Sequence, residues 1–400
     1  MNRPYLTRAA MPLAAALALT ACGGGGSDSP NTPAAAGTGT LRVALTDAPA
    51  CGFDHVYVTV ERVRVHASDS ADERSSGWRD LALPAPRKID LLTLTNGALE
   101  ELGSTPLPAG SYTQLRLVLS PNSGSTLANS VVPTGGRETA LATPSAVQSG
   151  IKVIRPFTVA AGQVADLVLD FDACRSIVRR GNGSFGLKPV LTAELRNVGV
   201  ISGVVDPAVT GARVSVQKSG EVVRATVPVA GSGAFSVPFL DPARAPYDVV
   251  ITAPGRATAV VTGVPAAVGA ATVLSTAAAP IALPVSATPA SRSASGTLGP
   301  AAARETAEVR ALQAVGSVPA VEVAHDNVDA TSGAWQLALP TDAPRLATFA
   351  ATLPLTFTAQ PAAAGKYTLQ ARAPGYVTQS VAADVATAAV TRDFTLVVAP

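Results

Sequence analysis

Three aspartates are the residues of this sequence whose spacing best suits chemistry. Asp47 follows the first predicted strand, while Asp170 and Asp172 end a later one on a common face. Calcium binds carboxylate oxygens, so these side chains are candidates for a cation site if the strand ends lie together. The alternative is that each aspartate accepts backbone N–H groups in its own turn, or that Arg175 and Lys188 neutralise the three charges.

Motifs for enzymatic catalysis are absent from the sequence. It contains no nucleophile elbow, zinc-protease motif, phosphate-binding loop or dinucleotide fingerprint. The histidines are His55, His66 and His325, and the first two occupy one predicted strand at an odd spacing. Odd spacing places them on opposite faces unless a bulge intervenes. A Ser-His-Asp site can assemble from distant residues, so a hydrolytic enzyme stays an alternative, but the sequence favours a protein that is not an enzyme.

The first residues have the layout of an export signal. Arg3 and Arg8 flank the start of an apolar run, Ala9–Leu19, as in secretory signals. Cys22 then follows Leu-Thr-Ala, a pattern that resembles bacterial lipoprotein signals. The resemblance implies cleavage before Cys22 and its acylation, for example with palmitate, and two or more acyl chains anchor more firmly than one. Gly23 resembles the residue that permits outer-membrane sorting; the alternative is an ordinary secretion signal with a chance cysteine.

With Cys22 assigned to lipid, Cys51 and Cys174 remain. Two cysteines in an exported protein favour a disulfide. Because bridged Cα atoms lie about 5–6 Å apart, this disulfide would draw together the strand ends that carry Asp47 and Asp172. Two buried free thiols are the alternative.

Composition favours strands and excludes several classes of protein. Only 14% of residues are charged and 4% aromatic, whereas β-branched and turn residues are abundant. Leu115, Leu117 and Leu119 share one face of a predicted strand. The net charge of +2 comes from Arg3 and Arg8, so the mature chain is neutral and lacks the field of a nucleic-acid-binding protein. No apolar run reaches the roughly 20 residues of a membrane-spanning helix.

The strand patterns predict an all-β protein with three β-sandwiches. We predict a signal peptide at 1–21, a flexible tether at 22–38, and an N-terminal β-sandwich at 39–197. Two smaller Ig- or transthyretin-like β-sandwiches follow at 198–290 and 291–400. Closely spaced strands without intervening helices are typical of sandwiches, and the later segments are long enough for about seven strands each.

The two later segments repeat one another in the order of their motifs. The corresponding blocks are Gly203–Val205 and Gly296–Leu298, Ala212–Val216 and Ala307–Ala311, Gly233–Val237 and Gly333–Leu337, Tyr247–Ile251 and Tyr367–Ala371, and Ala253–Arg256 and Ala373–Tyr376. The shared pattern is similar to carboxypeptidase-regulatory-like, transthyretin-like domains, and the resemblance implies noncatalytic spacers or binding modules. Trp335 takes the place of Phe235 in this pattern, so we expect it in a core rather than on a binding surface. Trp78 is expected to cover a sheet edge.

Several blocks between residues 41 and 193 occur in an order that also suggests a family. They are Leu45–Pro49, Leu107–Tyr112, Leu115–Leu117, Thr143–Ser145, Ser149–Lys152 and Leu169–Ala173. Together they resemble a bacterial family filed as domain of unknown function 4382. The resemblance implies a lipoprotein ectodomain and brings no functional residues with it.

These patterns predict a lipid-anchored protein of the cell envelope that acts as a noncatalytic binding or adhesion module. Its expected partners are the membrane, through the lipid on Cys22, and an unidentified protein or polysaccharide. We expect the outer membrane of a Gram-negative bacterium, facing either side. One alternative is a structural or assembly spacer in the periplasm. Another is a calcium-dependent or hydrolytic enzyme that uses Asp47, Asp170 and Asp172. Apart from calcium in this alternative, we expect no cofactor.

Overall fold

The structure is a computed structural model that describes residues 37–48, 52–196, 198–286, 290–316 and 318–400. These residues are almost entirely strands joined by turns, which confirms the predicted all-β fold class. β-Branched and leucine side chains alternate along many strands, so one face is buried and the other faces solvent.

The predicted signal peptide, Cys22 with its predicted lipidation, and the predicted tether as far as residue 36 lie outside the described residues. Within the described part of the chain, no helix is both long and apolar enough to cross a membrane. Residues 37–400 form one compact unit, inside which three large hydrophobic cores can be distinguished.

The N-terminal sandwich surrounds the first core. Its strands are β1 (Thr38–Ala48), β2 (Phe53–His66), β3 (Arg79–Asp90), β4 (Glu100–Pro108), β5 (Gly110–Leu119), β6 (Ser130–Pro133), β7 (Thr139–Ala142), β8 (Ile151–Val159), β9 (Val164–Asp172), β10 (Ile177–Arg179), β11 (Phe185–Leu187) and β12 (Leu191–Leu195), with short helices α1 (Pro144–Gln148) and α2 (Ala173–Ser176) and a 3-10 turn at Leu91–Thr93. One sheet has the order β12–β9–β1–β4; the other runs β10–β11–β7–β6–β2–β5–β8, with β3 also paired to β2. Side chains of both sheets meet in the core.

A bulge in β2 changes which side chains face solvent. Its register shifts between Val60 and Arg62 against both neighbouring strands, and valines on either side of the shift are buried. His55 and His66 consequently both lie on the solvent side of the strand, because the extra residue reverses the parity expected from their odd spacing.

Two repeats follow the N-terminal sandwich, each with two sheets around its own core. The first repeat contains β13 (Gly199–Val204), β14 (Arg213–Lys218), β15 (Glu221–Thr226), β16 (Ala234–Leu240), β17 (Tyr247–Thr252), β18 (Ala259–Val264) and β19 (Ala271–Val273), with a 3-10 turn at Pro242–Arg244. The second contains β20 (Ser291–Gly299), α3 (Ala301–Arg304), β21 (Glu308–Gln313), β22 (Val321–Asn327), β23 (Ala334–Pro340), β24 (Arg345–Thr348), β25 (Thr358–Ala359), β26 (Lys366–Arg372), β27 (Gln379–Asp384), β28 (Val390–Thr391) and β29 (Phe394–Thr395), with a 3-10 turn at Pro361–Ala363.

The repeats share one strand order. The sheet β16–β13–β19 corresponds to β23–β20–β28, with β29 also on β20, and β15–β14–β17–β18 corresponds to β22–β21–β26–β27. One insertion breaks the equivalence: β24 pairs in parallel with β18, and Ala347 packs in the core of the first repeat. By position in the sequence, residues 345–359 belong to the predicted domain 291–400, which is the second repeat. In the structure they extend the sheet of the first repeat. The insertion covers an edge that would otherwise expose unpaired backbone groups.

Candidate functional site

The parallel pairing of β1 with β9 brings the three predicted aspartates together. Asp47 lies opposite Phe171 in this register, and the backbone N–H of Ala173 donates to Asp47 Oδ1 over 3.1 Å. Asp172 caps α2 by accepting the N–H of Arg175 over 3.0 Å. Asp170 forms a 2.7 Å ion pair with Arg224 of the first repeat. Each aspartate thus already has a protein partner.

The electrostatics of these aspartates follow from burial. Desolvation raises the pKa of Asp47 well above its ordinary value, and the charges of Asp172 and Asp170 raise it further. Desolvation also raises the pKa of Asp170 to about 6, although Arg224 opposes the shift. Among the residues that the structure describes, no group of three or more His, Cys, Asp or Glu side chains is arranged to hold a metal ion. Backbone N–H groups and arginines contact the three aspartates, but Asp47 Oδ2 is buried without a hydrogen-bond partner among the described residues, so the cation site stays a hypothesis.

The same strand pairing bears on the predicted disulfide. Ala48 lies opposite Asp172, so the chain leaves β1 close to α2, which carries Cys174. Cys174 is buried and is not free. Its expected partner Cys51 lies outside the described residues, as does Cys22, so the disulfide and the lipidation stay predictions.

A network of buried charges, which the sequence analysis missed, joins the N-terminal sandwich to the second repeat. Arg175 of α2 is 7% exposed, and its Nη1 donates to both carboxylate oxygens of Glu308 over 2.9 and 3.0 Å. Its Nη2 donates to Glu322, which is more deeply buried still. The ion pairs span more than 130 residues of sequence, and they connect two separate cores.

The first repeat joins this network through Glu221. Arg372 Nε lies 2.6 Å from Glu308, and its Nη1 lies 2.8 Å from Glu221. Arg310 Nη2 contacts the other oxygen of Glu221 over 2.5 Å, and its Nη1 lies 3.6 Å from Glu322. We call the set Arg175, Glu221, Glu308, Arg310, Glu322 and Arg372 the ionic junction.

The electrostatics of the ionic junction keep its acids ionised. Burial by itself raises the pKa of Glu308, but Arg175, Lys188 and Arg372 together lower it to about 2. The pKa of Glu322 is lowered further, mainly by Arg175 and by a contact with His325. In turn, Glu322 and Glu308 raise the pKa of Arg175 despite its burial. Pairs of this kind are strongly destabilised when one partner is lost, because the other remains as a buried, uncompensated charge.

Neutral hydrogen bonds reinforce the same contacts. The Gln217 side chain pairs with the backbone of Glu322, donating to its carbonyl over 2.7 Å and accepting its N–H over 2.8 Å. Asn327 Nδ2 donates to the carbonyls of Arg175 and Ile177, each over 3.0 Å. Both amides therefore join backbone segments that belong to different cores.

A turn at Asn96 makes a separate link between the N-terminal sandwich and the first repeat. Asn96 has a φ of 57°, and its Nδ2 donates to Val227 O over 2.7 Å. Its Oδ1 accepts from Thr226 Oγ1 over 3.1 Å and from the Ser236 N–H over 3.2 Å. This link consists of hydrogen bonds and contains no ion pair.

A signal for the ionic junction was present in the sequence. Glu308 and Arg310 alternate with apolar Val309 and Ala311 on a predicted strand of a chain in which only 14% of residues are charged. Such a strand needs a polar or charged partner for its second face. Local pattern does not identify that partner, and Arg175 lies 133 residues away.

The tryptophans have structural roles. Trp335 is 3% exposed, as is Phe235 at the corresponding position of the first repeat. Trp78 donates its Nε1–H to the carbonyl of Asp72 over 2.8 Å, and guanidinium groups lie over its ring at 4.9 and 5.0 Å.

Comparison with known protein families finds a match to the N-terminal sandwich. Residues 38–189 match the model of DUF4382, described as a domain of unknown function. No curated protein matches the chain.

Solved structures show only distant similarity. A leucine-rich repeat protein from Bacteroides thetaiotaomicron VPI-5482 is 13% identical with a TM-score of 0.16. The match covers 62% of this chain but only 27% of the length of that protein. A streptococcal ancillary pilin is 10% identical with a TM-score of 0.15, and the match covers 89% of this chain and 98% of the pilin chain. The full-length major pilin RrgB from Streptococcus pneumoniae is 9% identical with a TM-score of 0.13, covering 86% and 68% respectively. These scores are too low to support a functional argument.

Proposed function

We propose that this protein is a lipid-anchored, noncatalytic binding or adhesion module of the cell envelope whose three β-domains act as one rigid arm. The observation that carries the proposal is the ionic junction, in which buried charges of the N-terminal sandwich and the second repeat contact one another and the half-exposed Glu221 of the first repeat joins them. Domains within a chain usually move relative to one another unless their interface is extensive. Here, separation of the N-terminal sandwich from the second repeat would leave Glu308 and Glu322 buried without Arg175, and that cost opposes motion between these two domains.

Lipid anchoring of Cys22 is the part of the proposal that is simplest to test. We expect Cys22→Ala to move the protein from the membrane fraction to the soluble fraction, because the acyl chains supply the membrane affinity. Cys51→Ala is the matched control and should remain in the membrane fraction. A Cys22→Ala protein that sediments with membranes like the wild type would contradict the anchor.

The noncatalytic part of the proposal is supported by the surroundings of the histidines. His55 Nδ1 lies 2.6 Å from Asp90 on the solvent face of β2. The ring nitrogens of His66 contact its own loop, and His325 lies buried against Glu322 at 3.2 Å. Each ring is thus accounted for by a structural contact.

The side of the membrane that the protein faces decides between adhesion and a periplasmic spacer, since rigidity suits both. Protease treatment of intact cells, with a periplasmic protein as the leakage control, separates the two. Digestion while the control survives supports a surface binding module for a protein or polysaccharide. Survival until the outer membrane is opened supports the spacer.

We also propose that the two repeats are carboxypeptidase-regulatory-like, transthyretin-like domains. Their equivalent strand orders support a duplication, as does the shared Ala-Pro-Gly turn, with Gly255 at a φ of 69° and Gly375 at 78°. The proposed Cys51–Cys174 disulfide predicts that thiol labelling of the unreduced, denatured mature protein will find neither cysteine free. Two labelled thiols would contradict it.

The calcium alternative for Asp47, Asp170 and Asp172 can be tested by melting temperature. A native-state calcium site would raise the melting temperature with calcium and lower it with chelator. We expect no change in either direction, because Asp170 is paired with Arg224 and burial raises the pKa of Asp47. A calcium-dependent rise that Asp170→Asn abolishes would restore the metal hypothesis.

A further inference from the structure

A cavity of about 540 Å³ lies where the three cores meet. Gly52 of the N-terminal sandwich, Arg213 and Pro254 of the first repeat, and Ser291 and Pro340 of the second repeat belong to its wall. The volume falls within the roughly 300–1,000 Å³ of small-molecule sites, which are concave, mostly apolar and carry a few polar groups. Among the described lining residues, Arg213 is the charged one.

The guanidinium of Arg213 lacks a bonded counter-ion. Its Nε and Nη2 are buried and have no hydrogen-bond partner among the described residues. Desolvation lowers the pKa of Arg213, while Asp172 and Glu322 act in the opposite direction from a distance. Arginine stays protonated in proteins, so the cavity borders a partly buried positive charge, which is costly to leave unpaired.

The duplicated position in the second repeat shows what Arg213 lacks. In the shared motif Glu308 corresponds to Arg213. Glu308 lies opposite Arg372 in its sheet and forms an ion pair with it. Arg213 lies opposite Thr252, which carries no charge.

Among the described residues, no carboxylate pairs directly with Arg213, although Asp172 and Glu322 favour its charged form. The undescribed residues within 37–400, namely 49–51, 197, 287–289 and 317, include no acidic side chain. By contrast, every arginine of the ionic junction contacts at least one carboxylate.

We propose that this cavity binds a small organic carboxylate, with the carboxylate on Arg213 and the apolar part of the ligand against Pro254, Val323 and Pro340. The planar guanidinium matches a carboxylate because adjacent N–H groups form two parallel hydrogen bonds. Arg213 lines the cavity, but its Nε and Nη2 are enclosed in this conformation, so binding requires the side chain to change rotamer when the ligand enters. A single arginine in a largely apolar wall favours a monoanion with an apolar body over inorganic phosphate, which gathers several cationic or N–H donors.

Benzoate is a suitable probe, with benzyl alcohol as its uncharged counterpart and inorganic phosphate as the competing anion. We expect calorimetric titration of the full mature chain to show saturable binding of benzoate and weaker binding of both comparison molecules. Arg213→Met should weaken benzoate binding about tenfold or more, since it removes a charge-assisted hydrogen bond. Arg244→Met removes an exposed arginine of the same repeat and should leave binding unchanged.

A second variant tests the cavity without touching the charge. Ala338 is an exposed strand residue that lines the cavity, so Ala338→Leu should reduce the space and weaken benzoate binding while the fold is retained. The proposal is overturned if wild-type protein shows no saturable benzoate binding at millimolar concentration, or if Arg213→Met binds as well as wild type. Phosphate binding tighter than benzoate binding would overturn the carboxylate assignment.

Discussion

The two repeats have equivalent cores but different outer faces. In each, the opening glycine lies directly across the sheet from the core aromatic residue, Gly203 opposite Phe235 and Gly296 opposite Trp335. A Cβ at position 203 would come within 2.8 Å of the Phe235 ring, so the small residue and the large one are required together. In the second repeat the glycine is required for a different reason, because a Cβ at position 296 would collide with the backbone of Arg392.

The faces that meet other domains have diverged. Glu308 of the second repeat is held by Arg175 of the N-terminal sandwich and by Arg372. Its counterpart Arg213 borders a cavity without a hydrogen bond among the described residues. At this one position the second repeat makes ion pairs with another domain, whereas the first repeat leaves a cavity.

The largest expected effect comes from removing the arginine that fastens the second repeat. Arg175→Met leaves Glu308 and Glu322 buried without their main counter-ion, so we expect a loss of about 3–5 kcal/mol in the free energy of unfolding. Urea unfolding of the mature chain measures it. Arg42→Met is the matched control, since Arg42 is 46% exposed and pairs with Asp166; it should cost about 0–1 kcal/mol. Equal losses for the two variants would contradict a buried junction.

The second largest effect on stability should come from acid, which weakens the contact between the second repeat and the N-terminal sandwich. The pKa of Glu308 in the folded chain is about 2, below its ordinary value of 4.5. Its contribution is therefore complete above pH 4.5 and is lost as the pH falls towards 2, on the order of 3 kcal/mol in all. The contribution of Asp170 to the free energy of unfolding has the opposite pH dependence. Because burial raises its pKa to about 6, this contribution is present at low pH and is lost as the pH rises through that value.

Glu308→Gln separates this effect from general acid lability. The variant should flatten the decline of unfolding free energy between about pH 4.5 and 3, because it removes the titrating group. Glu305→Gln, whose side chain is 64% exposed, should keep the wild-type slope. An unchanged slope in Glu308→Gln would show that Glu308 is not a source of the acid dependence.

The Asn96 turn, which joins the first repeat to the N-terminal sandwich separately from the Asp170–Arg224 ion pair, should contribute less than the ionic junction. Asn96→Gly preserves the left-handed backbone that glycine tolerates but removes the side-chain contacts with Thr226, Val227 and Ser236. We expect a loss of about 1–3 kcal/mol, little affected by salt because no ion pair is involved. Asn182→Gly removes only a local contact in an exposed turn and should cost less; a larger cost for Asn182→Gly would reverse the expected ranking.

Residue alternation and the repeated motif correctly predicted features that depend only on residues close together in the sequence. Alternation placed Leu115, Leu117 and Leu119 in the core, and the shared motif predicted a buried Trp335 because a core position tolerates one large aromatic in place of another. The adjacency of the strand ends at Asp47 and Asp172 was also expected, although from the predicted disulfide rather than from strand register.

Contacts between domains could not be predicted in the same way. Arg224 as the partner of Asp170, and Glu308 as that of Arg175, depend on how separate cores dock, and no periodicity carries that information. The parallel pairing of β24 with β18 of the first repeat could not be predicted for the same reason. The inserted strand pairs with a sheet edge that exists only after the first repeat has folded.

The chain's two tryptophans allow the central claim to be tested directly. Trp78 lies in the N-terminal sandwich and Trp335 in the core of the second repeat, so Trp335→Phe and Trp78→Phe each leave a single fluorescent reporter in one domain. If the ionic junction joins the cores into one cooperative body, both reporters should show the same urea midpoint, and adding Arg175→Met should separate them. Different midpoints in the single-tryptophan proteins with Arg175 intact would contradict the account.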